Sequence, residues 1–238
     1  IKRYRKLECM ARCVEYSPDG TKIAVGMGGR IPGRGRHKKD GAFMVLNERD
    51  LSVAHEGRDS KFWLGECKYS PDGNTLALGS HDNKIYLYDV GAGYTLKGVF
   101  EGHNSYITHF DFSADGQYLQ SNCGAFELLF SDANSGSSIP AISTLKDVHW
   151  ATWTCPLGWP VQGIWPEAKH DGTDISSCCR SKSEQVIATT DTFGRLKLYR
   201  YPCLTQGAGE KLFRGHSARV TNVRFTGDDG YMISVGGR

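Results

Sequence analysis

The sequence lacks any long hydrophobic run and any recognisable leader segment. Its apolar stretches never approach the roughly 18 residues that a membrane-spanning helix needs, so we expect no membrane partner. The first residues, 1–6, have no apolar core of a signal peptide and do not start with Met. We therefore expect an intracellular segment of a longer protein.

Enzymatic signatures are also missing. The glycine-rich stretch 26–30 is not followed by the Lys-Ser/Thr pair that closes a phosphate-binding loop. No serine lies in a Gly-x-Ser-x-Gly turn of the hydrolase type, and solvation in a turn explains the acidic pair Asp228-Asp229. The net charge of +3 is too small to indicate nucleic acid binding. We expect a protein without catalysis, cofactor or nucleic acid partner.

The eight cysteines do not show zinc-site spacing, because no Cys-x2-Cys pair faces a second one. Several lie in strand-like alternating segments, where small buried apolar residues are expected. We therefore predict free thiols in a reducing compartment and no metal centre. These residues are Cys9, Cys13, Cys67, Cys123, Cys155, Cys178, Cys179 and Cys203.

What the sequence does contain is a recurring phrase. Ser-Pro-Asp-Gly at 17–20 and 70–73 and Ser-Ala-Asp-Gly at 113–116 each follow one strand-like segment and precede another. The first serines are 53 and 43 residues apart, and degenerate copies at Ser181 and Thr226 add spacings of 68 and 45. A base period of about 40–45 residues is that of a four-stranded propeller blade of the WD-repeat kind.

The repeat predicts an all-β fold, a partial WD-repeat-type β-propeller over residues 1–238, with blades starting near residues 9, 65, 106, 174 and 219. A basic insertion at 28–41 and a Trp-rich insertion at 146–167 account for the two long spacings. Four blade patterns are complete, and the fifth stops before its third and fourth strands. Because five starts do not close a seven-bladed ring, we expect further chain to complete it.

The second repeat shows its strands most clearly, at 67–69, 75–79, 85–89 and 94–100. Its alternating aromatic and branched residues are bounded by Gly, Asn and Asp turns, which is a strong strand signal. In the fourth repeat we expect three strands of one blade within residues 174–202.

Four residues are predicted to clamp the blades. His103 and His216 follow glycines just before a first strand, and Asp82 and Asp191 lie in turns between second and third strands. In WD repeats such residues, with a Ser or Thr on the second strand, form a buried hydrogen-bond network. A metal or general-base role for these histidines is the rival interpretation, and nothing convergent in the sequence accompanies them.

The third strands never end in the Trp-Asp pair of a regular WD blade. Four of the five tryptophans instead lie between 150 and 165, three of them in Trp150–Gly158 and Gly163–Glu167 and the fourth, Trp159, between these stretches; Asp171–Ile175 follows. This segment, with 79–86, Tyr201-Pro202-Cys203 and Gly215-His216-Ser217, resembles the C-terminal propeller half of the echinoderm microtubule-associated protein-like family. The basic loop followed by 37–43 is similar to that of its long, multi-module members.

The resemblance implies two fused propellers and binding to tubulin or microtubules, with other cytoskeletal or axonemal partners also compatible. It places the protein in the cytoplasm on the cytoskeleton, or in the axoneme of a cilium or flagellum. The alternative is a general adaptor scaffold that recruits peptides or protein complexes without touching tubulin; an enzyme built on a propeller is a more distant one.

The basic insertion is the main candidate for partner binding. Five cations within ten residues precede the first acid, Asp40, and four glycines keep the segment flexible, which suits an acidic polymer surface. A solvated hairpin extension is the alternative. The cations are Arg30, Arg34, Arg36, Lys38 and Lys39.

The Trp-rich insertion has two interpretations. Its tryptophans form a structural insert packed at a junction between blades or propellers, or they form an exposed hot spot for a partner. We favour the packed insert. The residues are Trp150, Trp153, Trp159 and Trp165.

Overall fold

The computed structural model describes residues 3–31, 35–165 and 174–237, with backbone only at 30, 31 and 36. The chain is almost wholly β, which confirms the predicted fold class. Besides strands, the described residues hold two short 3-10 helices, Ile142–Leu145 and Trp159–Ile164. By compactness the chain divides into two units, Ile1–Ala151 and Thr152–Arg238.

The first unit contains three antiparallel meanders whose strands pair in chain order. The first two sheets have four strands and the third has three. A short hairpin lies between β2 and β5. The strands are β1 (Ala11–Tyr16), β2 (Lys22–Met27), β3 (Arg30–Ile31), β4 (Gly35–Arg36), β5 (Phe43–Asn47), β6 (Val53–Gly57), β7 (Leu64–Tyr69), β8 (Thr75–Ser80), β9 (Ile85–Asp89), β10 (Thr95–Phe100), β11 (Ile107–Phe112), β12 (Tyr118–Cys123) and β13 (Leu128–Asp132).

The second unit contains a four-stranded sheet and a two-stranded one, again in chain order. The predicted three strands within 174–202 are present as β14, β15 and β16. The strands are β14 (Ile175–Arg180), β15 (Val186–Asp191), β16 (Arg195–Arg200), β17 (Lys211–Arg214), β18 (Val220–Phe225) and β19 (Met232–Gly236).

The recurring phrase forms the turn between the first two strands of a sheet. In its first copy the Ser17 hydroxyl accepts the Lys22 N–H at 2.9 Å, and the Asp19 carboxylate accepts the Thr21 N–H at 3.0 Å. The hydrogen bond from Ser17 to Asp19 is the largest cause of a lowered pKa of that carboxyl, about 2. Gly20 takes φ +70°, which favours glycine. The phrase is therefore a turn whose backbone donors are satisfied by its own side chains.

A second regularity links all five sheets. The first strand of each carries a register irregularity near its start, at Ala11/Cys13, Leu64/Glu66, Ile107/His109, Ile175/Ser177 and Val220/Asn222. The degenerate fourth and fifth copies thus share a backbone feature with the clear ones. Bulges of this kind bend a strand and increase its twist.

The third sheet differs from the complete pattern expected for it. Its described residues form three strands, and after β13 the edge is met only by an isolated bridge between Ser131 and Ser138. Pro140 follows directly and has no N–H to donate to a ladder, and the segment 134–141 lacks period-2 alternation. The chain instead runs into the 3-10 helix at Ile142–Leu145.

The core of the first unit lies between consecutive sheets. Phe43, Leu64 and Leu78 are among the buried residues between the first and second sheets, and Ile85, Phe110 and Leu119 among those between the second and third. One charged pair is buried with the apolar side chains: Lys68 Nζ on β7 lies 2.7 Å from Asp111 Oδ1 on β11. Gln120 also donates to Asp111, which adds to the compensation that a buried charge requires.

The eight cysteines are free thiols, and six of them are buried. No helix in the described ranges is long and apolar enough to span a bilayer.

Candidate functional site

The basic insertion begins and ends on anchored residues. Arg30 pairs with Arg36 through the backbone of the β3–β4 hairpin, whereas Arg34 lies outside the described residues. The buried Asp40 carboxylate accepts the Gly29 N–H at 3.0 Å and so ties the two ends of the insertion together. Lys38 is exposed to solvent.

The environment of Lys39 differs from the sequence interpretation, in which none of the five cations of the insertion has its charge matched by an acid. Its Nζ lies 3.3 Å from Glu8 and 3.6 Å from Glu56, two acids that the linear sequence places far from it. The hydrogen bond to Glu8 is the main cause of a raised pKa of Lys39. Since its charge is matched locally, Lys39 contributes little to attraction of a distant acidic surface.

Two further cations lie beside the insertion. A cleft of about 390 Å³ is lined by His37, Asp40, Arg58, Asp59, Ser60 and Lys61. Arg58 and Lys61 are exposed, and Arg58 donates to the Asp40 carbonyl at 2.9 Å. The sequence pattern does not indicate either cation, because both follow β6 and join the loop only through the fold.

A ladder of stacked side chains crosses the three sheets of the first unit. The Arg12 guanidinium lies 3.9 Å from the Trp63 ring centroid, Trp63 and His81 centroids are 4.1 Å apart, and His81 stacks on Tyr106 at 4.4 Å and 8°. Burial, followed by the Arg12 charge, lowers the pKa of His81 to about 4. The ring is therefore neutral at physiological pH, as a stacked aromatic beside a guanidinium requires.

Two glycines make room for this ladder. Gly28 has φ +146°, and a side chain on it would meet the Trp63 backbone at 2.5 Å. Gly29 has φ +123° and lies against the Arg12 guanidinium, which itself donates to the Gly28 carbonyl at 2.9 Å. Their role here is thus close approach to Arg12 and Trp63.

The clamp of the second sheet is centred on Asp82, which is half-buried. Its Oδ2 accepts hydrogen bonds from Ser60 at 2.9 Å and from the Tyr86 hydroxyl at 2.7 Å. Ser60 also lies 2.7 Å from Ser80 on β8. Ser60 lies in the loop that precedes the second sheet, as His103 does before the third, so a hydroxyl makes the link there.

The third sheet builds its clamp around His103. The ring Nε2 lies 2.7 Å from Ser121 Oγ on β12, and Nδ1 lies 3.3 Å from Glu127 Oε2. Burial lowers the pKa of His103. Cys123 Sγ donates to the same Glu127 oxygen at 3.1 Å, and burial together with this carboxylate raises the thiol pKa. Glu127 thus stands where the aspartate occurs in the second sheet.

The second unit carries the other two clamp residues. Asp191 is buried and accepts from the backbone N–H groups of Phe193 and Arg195, and its Oδ2 lies 2.6 Å from Arg195 Nε. His216 Nε2 lies 2.8 Å from Ser234 Oγ. Among the described residues, each of the two histidines and two aspartates therefore belongs to the hydrogen-bond network of a different sheet, and no network contains both residue types.

The four tryptophans of the insertion do not share one environment. Trp150 is buried in the first unit and lies against Phe130, while Trp153 is buried in the second and donates to the Cys155 carbonyl at 2.8 Å. Trp165 is half-buried and donates to Pro156. Trp159 is 74% exposed and is not packed between the described blades, so its packing against a second propeller stays a prediction. It is the first residue of the Pro-containing 3-10 helix Trp159–Ile164.

Comparison with known proteins places this geometry in a family. The family model described as the echinoderm microtubule-associated protein second beta-propeller matches residues 1–238. The chain is 40% identical over 230 residues to human echinoderm microtubule-associated protein-like 3, covering 95% of this chain and 24% of that protein. It is 42% identical over 228 residues to the 77 kDa echinoderm microtubule-associated protein of Strongylocentrotus purpuratus, covering 94% and 31%.

Solved structures agree on the fold. The Cps50 (Swd1) beta-propeller domain of Myceliophteria thermophila matches with a TM-score of 0.62 at 13% identity, over 98% of this chain and 64% of that one. A chain of the mitotic checkpoint complex matches with a TM-score of 0.71 at 17% identity, over 97% and 73%. The chain spans about a quarter to a third of the length of the curated relatives named above. The chain belongs to the echinoderm microtubule-associated protein family and corresponds to its second β-propeller.

Proposed function

We propose that this chain is a non-catalytic, tubulin-binding propeller module that decorates or stabilises microtubules, in the cytoplasm or in an axoneme. The observation that carries the proposal is the match of the family model over the whole chain, together with relatives that are named microtubule-associated proteins. Because those relatives are much longer, the contribution of this part to lattice binding is itself part of the proposal.

The charge distribution of the first unit supports a contact with an acidic polymer. Lys38 is exposed at the end of the basic insertion, and the exposed Arg58 and Lys61 line the adjoining cleft. Arg34 and Arg36 add two charges to the same insertion. Exposed cations attract an acidic surface over about one Debye length, and this attraction needs no fixed side-chain geometry. Lys39 is left out of this set because Glu8 and Glu56 already match its charge.

Co-pelleting with stabilised microtubules tests the proposal. Changing Arg34, Arg36 and Lys38 to Glu is expected to weaken binding strongly at low salt, and the difference from wild type should shrink as salt shortens the Debye length from about 10 Å toward 3 Å. The matched control changes Lys182, Arg200 and Arg214 to Glu, three exposed cations of the second unit, for the same change in net charge.

The control variant is expected to pellet nearly as wild type does. Equal losses of microtubule binding in both variants would show that net charge alone causes the effect. No loss of binding in either variant would remove the insertion from the binding surface. Exposed charges usually change stability by less than about 0.5 kcal/mol, so both variants should fold normally.

An adaptor function is the second candidate, and the exposed Trp159 favours it. Tryptophan is enriched at the centres of protein interfaces, and this one offers its indole to solvent. If the adaptor function holds, wild-type protein stays in the supernatant with microtubules even at low salt. Trp159→Ala would then abolish capture of the partner without changing the melting temperature.

A further inference from the structure

Three metal-ligating side chains of the third sheet converge on one point. Within the described ranges, one ligand atom each of His103, Cys123 and Glu127 lies within 4.8 Å of the other two. His103 Nδ1 and Cys123 Sγ are 3.3 Å and 3.1 Å from Glu127 Oε2. The linear sequence gives no sign of this group, because 20 residues separate His103 from Cys123 and no Cys-x2-Cys pair is involved.

We propose that His103, Cys123 and Glu127 form a zinc-binding site with water as the fourth ligand. In tetrahedral zinc sites, bonds of about 2.0–2.3 Å hold neighbouring ligand atoms roughly 3.3–3.6 Å apart. Two of the three pairs, Nδ1–Oε2 at 3.3 Å and Sγ–Oε2 at 3.1 Å, are already near that spacing. The proposal is independent of microtubule binding.

The histidine ring is held in the orientation that a metal ligand needs. In the metal-free protein Nδ1 carries the ring proton and donates to Glu127. Ser121 Oγ lies 2.7 Å from Nε2 and 3.4 Å from the Leu129 carbonyl oxygen, so it can accept from an Nε2–H while donating to that carbonyl. Metal binding would therefore place the ring proton on Nε2 and leave the Nδ1 lone pair for the ion. The ring is fully buried and packs edge-on against Phe100, which prevents it from turning away.

Glu127 gives the ion a path from solvent. Its side chain is 26% exposed, whereas the His103 side chain is fully buried. The N–H of Asn104 and its side-chain amide both donate to the carboxylate and hold it in place. The water ligand occupies the exposed side, as in zinc sites with three protein ligands.

The ligand set selects the kind of metal. A thiolate and an imidazole suit zinc, whereas magnesium and calcium take oxygen ligands almost exclusively. Binding replaces the Cys123 thiol proton, which leaves to solvent, and no electron is transferred. The bound ion would cross-link the approach to β11, the end of β12 and the start of β13, which are the three strands of a sheet whose outer edge has no full strand beside it.

Cobalt substitution tests the site on the full, metal-stripped chain. Titration with Co²⁺ is expected to give a thiolate-to-cobalt charge-transfer absorption that saturates at one equivalent and disappears when Zn²⁺ is added. Cys123→Ser is expected to lose this absorption. Its hydroxyl still donates to Glu127, so the clamp survives and the circular dichroism spectrum should be unchanged. Cys9→Ser, which leaves the cluster untouched, is the matched control and should keep the absorption.

A second variant covers the case in which Cys123→Ser does not fold. Glu127→Gln retains an acceptor for the Asn104 amides and is expected to weaken cobalt binding by at least about tenfold. Absence of the absorption in wild type, or its persistence in Cys123→Ser, would overturn the proposal. So would equal cobalt affinity for wild type and Glu127→Gln.

Discussion

The second sheet fastens its β8–β9 turn with Asp82, whereas the third uses Glu127 at the corresponding turn. In the second sheet the partner from the preceding loop is the Ser60 hydroxyl, and in the third it is the His103 ring. Both networks also include a serine of the sheet's second strand, Ser80 or Ser121. The shorter side chain, Asp82, is thus also hydrogen-bonded by the Tyr86 hydroxyl, whereas the longer one, Glu127, is paired with the His103 imidazole. The position in the sheet is retained while the residue types change.

The largest expected effect comes from the ion pair that joins these two sheets. Lys68→Met should leave Asp111 buried without its cation and lower the free energy of unfolding by about 3–5 kcal/mol. Chemical denaturation monitored by circular dichroism measures it. The double variant Lys68→Met/Asp111→Leu removes both charges and should recover much of the loss. A loss below about 1 kcal/mol in the single variant would mean that Asp111 finds other compensation.

The clamps are compared by removing each carboxylate. Asp82→Ala leaves Ser60 and Tyr86 without their acceptor and should destabilise by about 1–3 kcal/mol. Glu127→Ala should cost less, because that side chain is 26% exposed and water can replace it. Asp82→Asn keeps one acceptor oxygen and is expected to fall between wild type and Asp82→Ala. Equal losses for Asp82→Ala and Glu127→Ala would contradict this ranking of the two sheets.

The smallest expected effects depend on pH, and the second and third sheets lose stability over different pH ranges. The folded pKa of His81 is about 4, below its ordinary 6.5, so the unfolded chain takes up the proton first and stability falls as pH drops from 6.5 to 4. The folded pKa of Glu127 is lowered to about 2 from 4.5, chiefly by the Asn104 N–H, so its contribution is lost between pH 4.5 and 2.

Melting temperature measured against pH tests this separation. His81→Gln should flatten the upper range and Glu127→Gln the lower one. His103, whose pKa is also lowered, remains in both variants and keeps part of the upper slope. The separation fails if His81→Gln changes only the range below pH 4.

The sequence was most informative where structure is local. The Ser-x-Asp-Gly phrase predicts its turn because the groups that satisfy the turn backbone lie within five residues of one another. Strand periodicity likewise predicts the second sheet, where β8, β9 and β10 lie within a residue of their expected ends. Three strands of the fourth repeat followed from a degenerate copy of the same phrase.

Contacts between distant segments could not be predicted from the sequence. Lys39 reads as a free cation because Glu8 and Glu56 are 31 and 17 residues away from it. Lys68 and Asp111 each lie in an alternating strand pattern that does not indicate which partner the fold provides. Ser60 could not be predicted because a single serine forms no motif, although it makes in the second sheet the link that His103 makes in the third. The Gly-His signal, by contrast, identified both ring-to-serine bonds of the third and fifth sheets.

The turns of the recurring phrase also bear on chemical ageing. Each contains an Asp-Gly pair, the sequence in which the glycine nitrogen most readily attacks the aspartyl carbon to form a succinimide. Here the N–H groups of Gly20, Gly73 and Gly116 donate to the carbonyls of Ser17, Ser70 and Ser113 at 2.8–2.9 Å. Lowered pKa values keep the three carboxyls ionised, and an ionised carboxylate is a poor electrophile. The folded turn thereby shields its own aspartate from isomerisation, and long-lived protein should accumulate isoaspartate at these pairs only after unfolding.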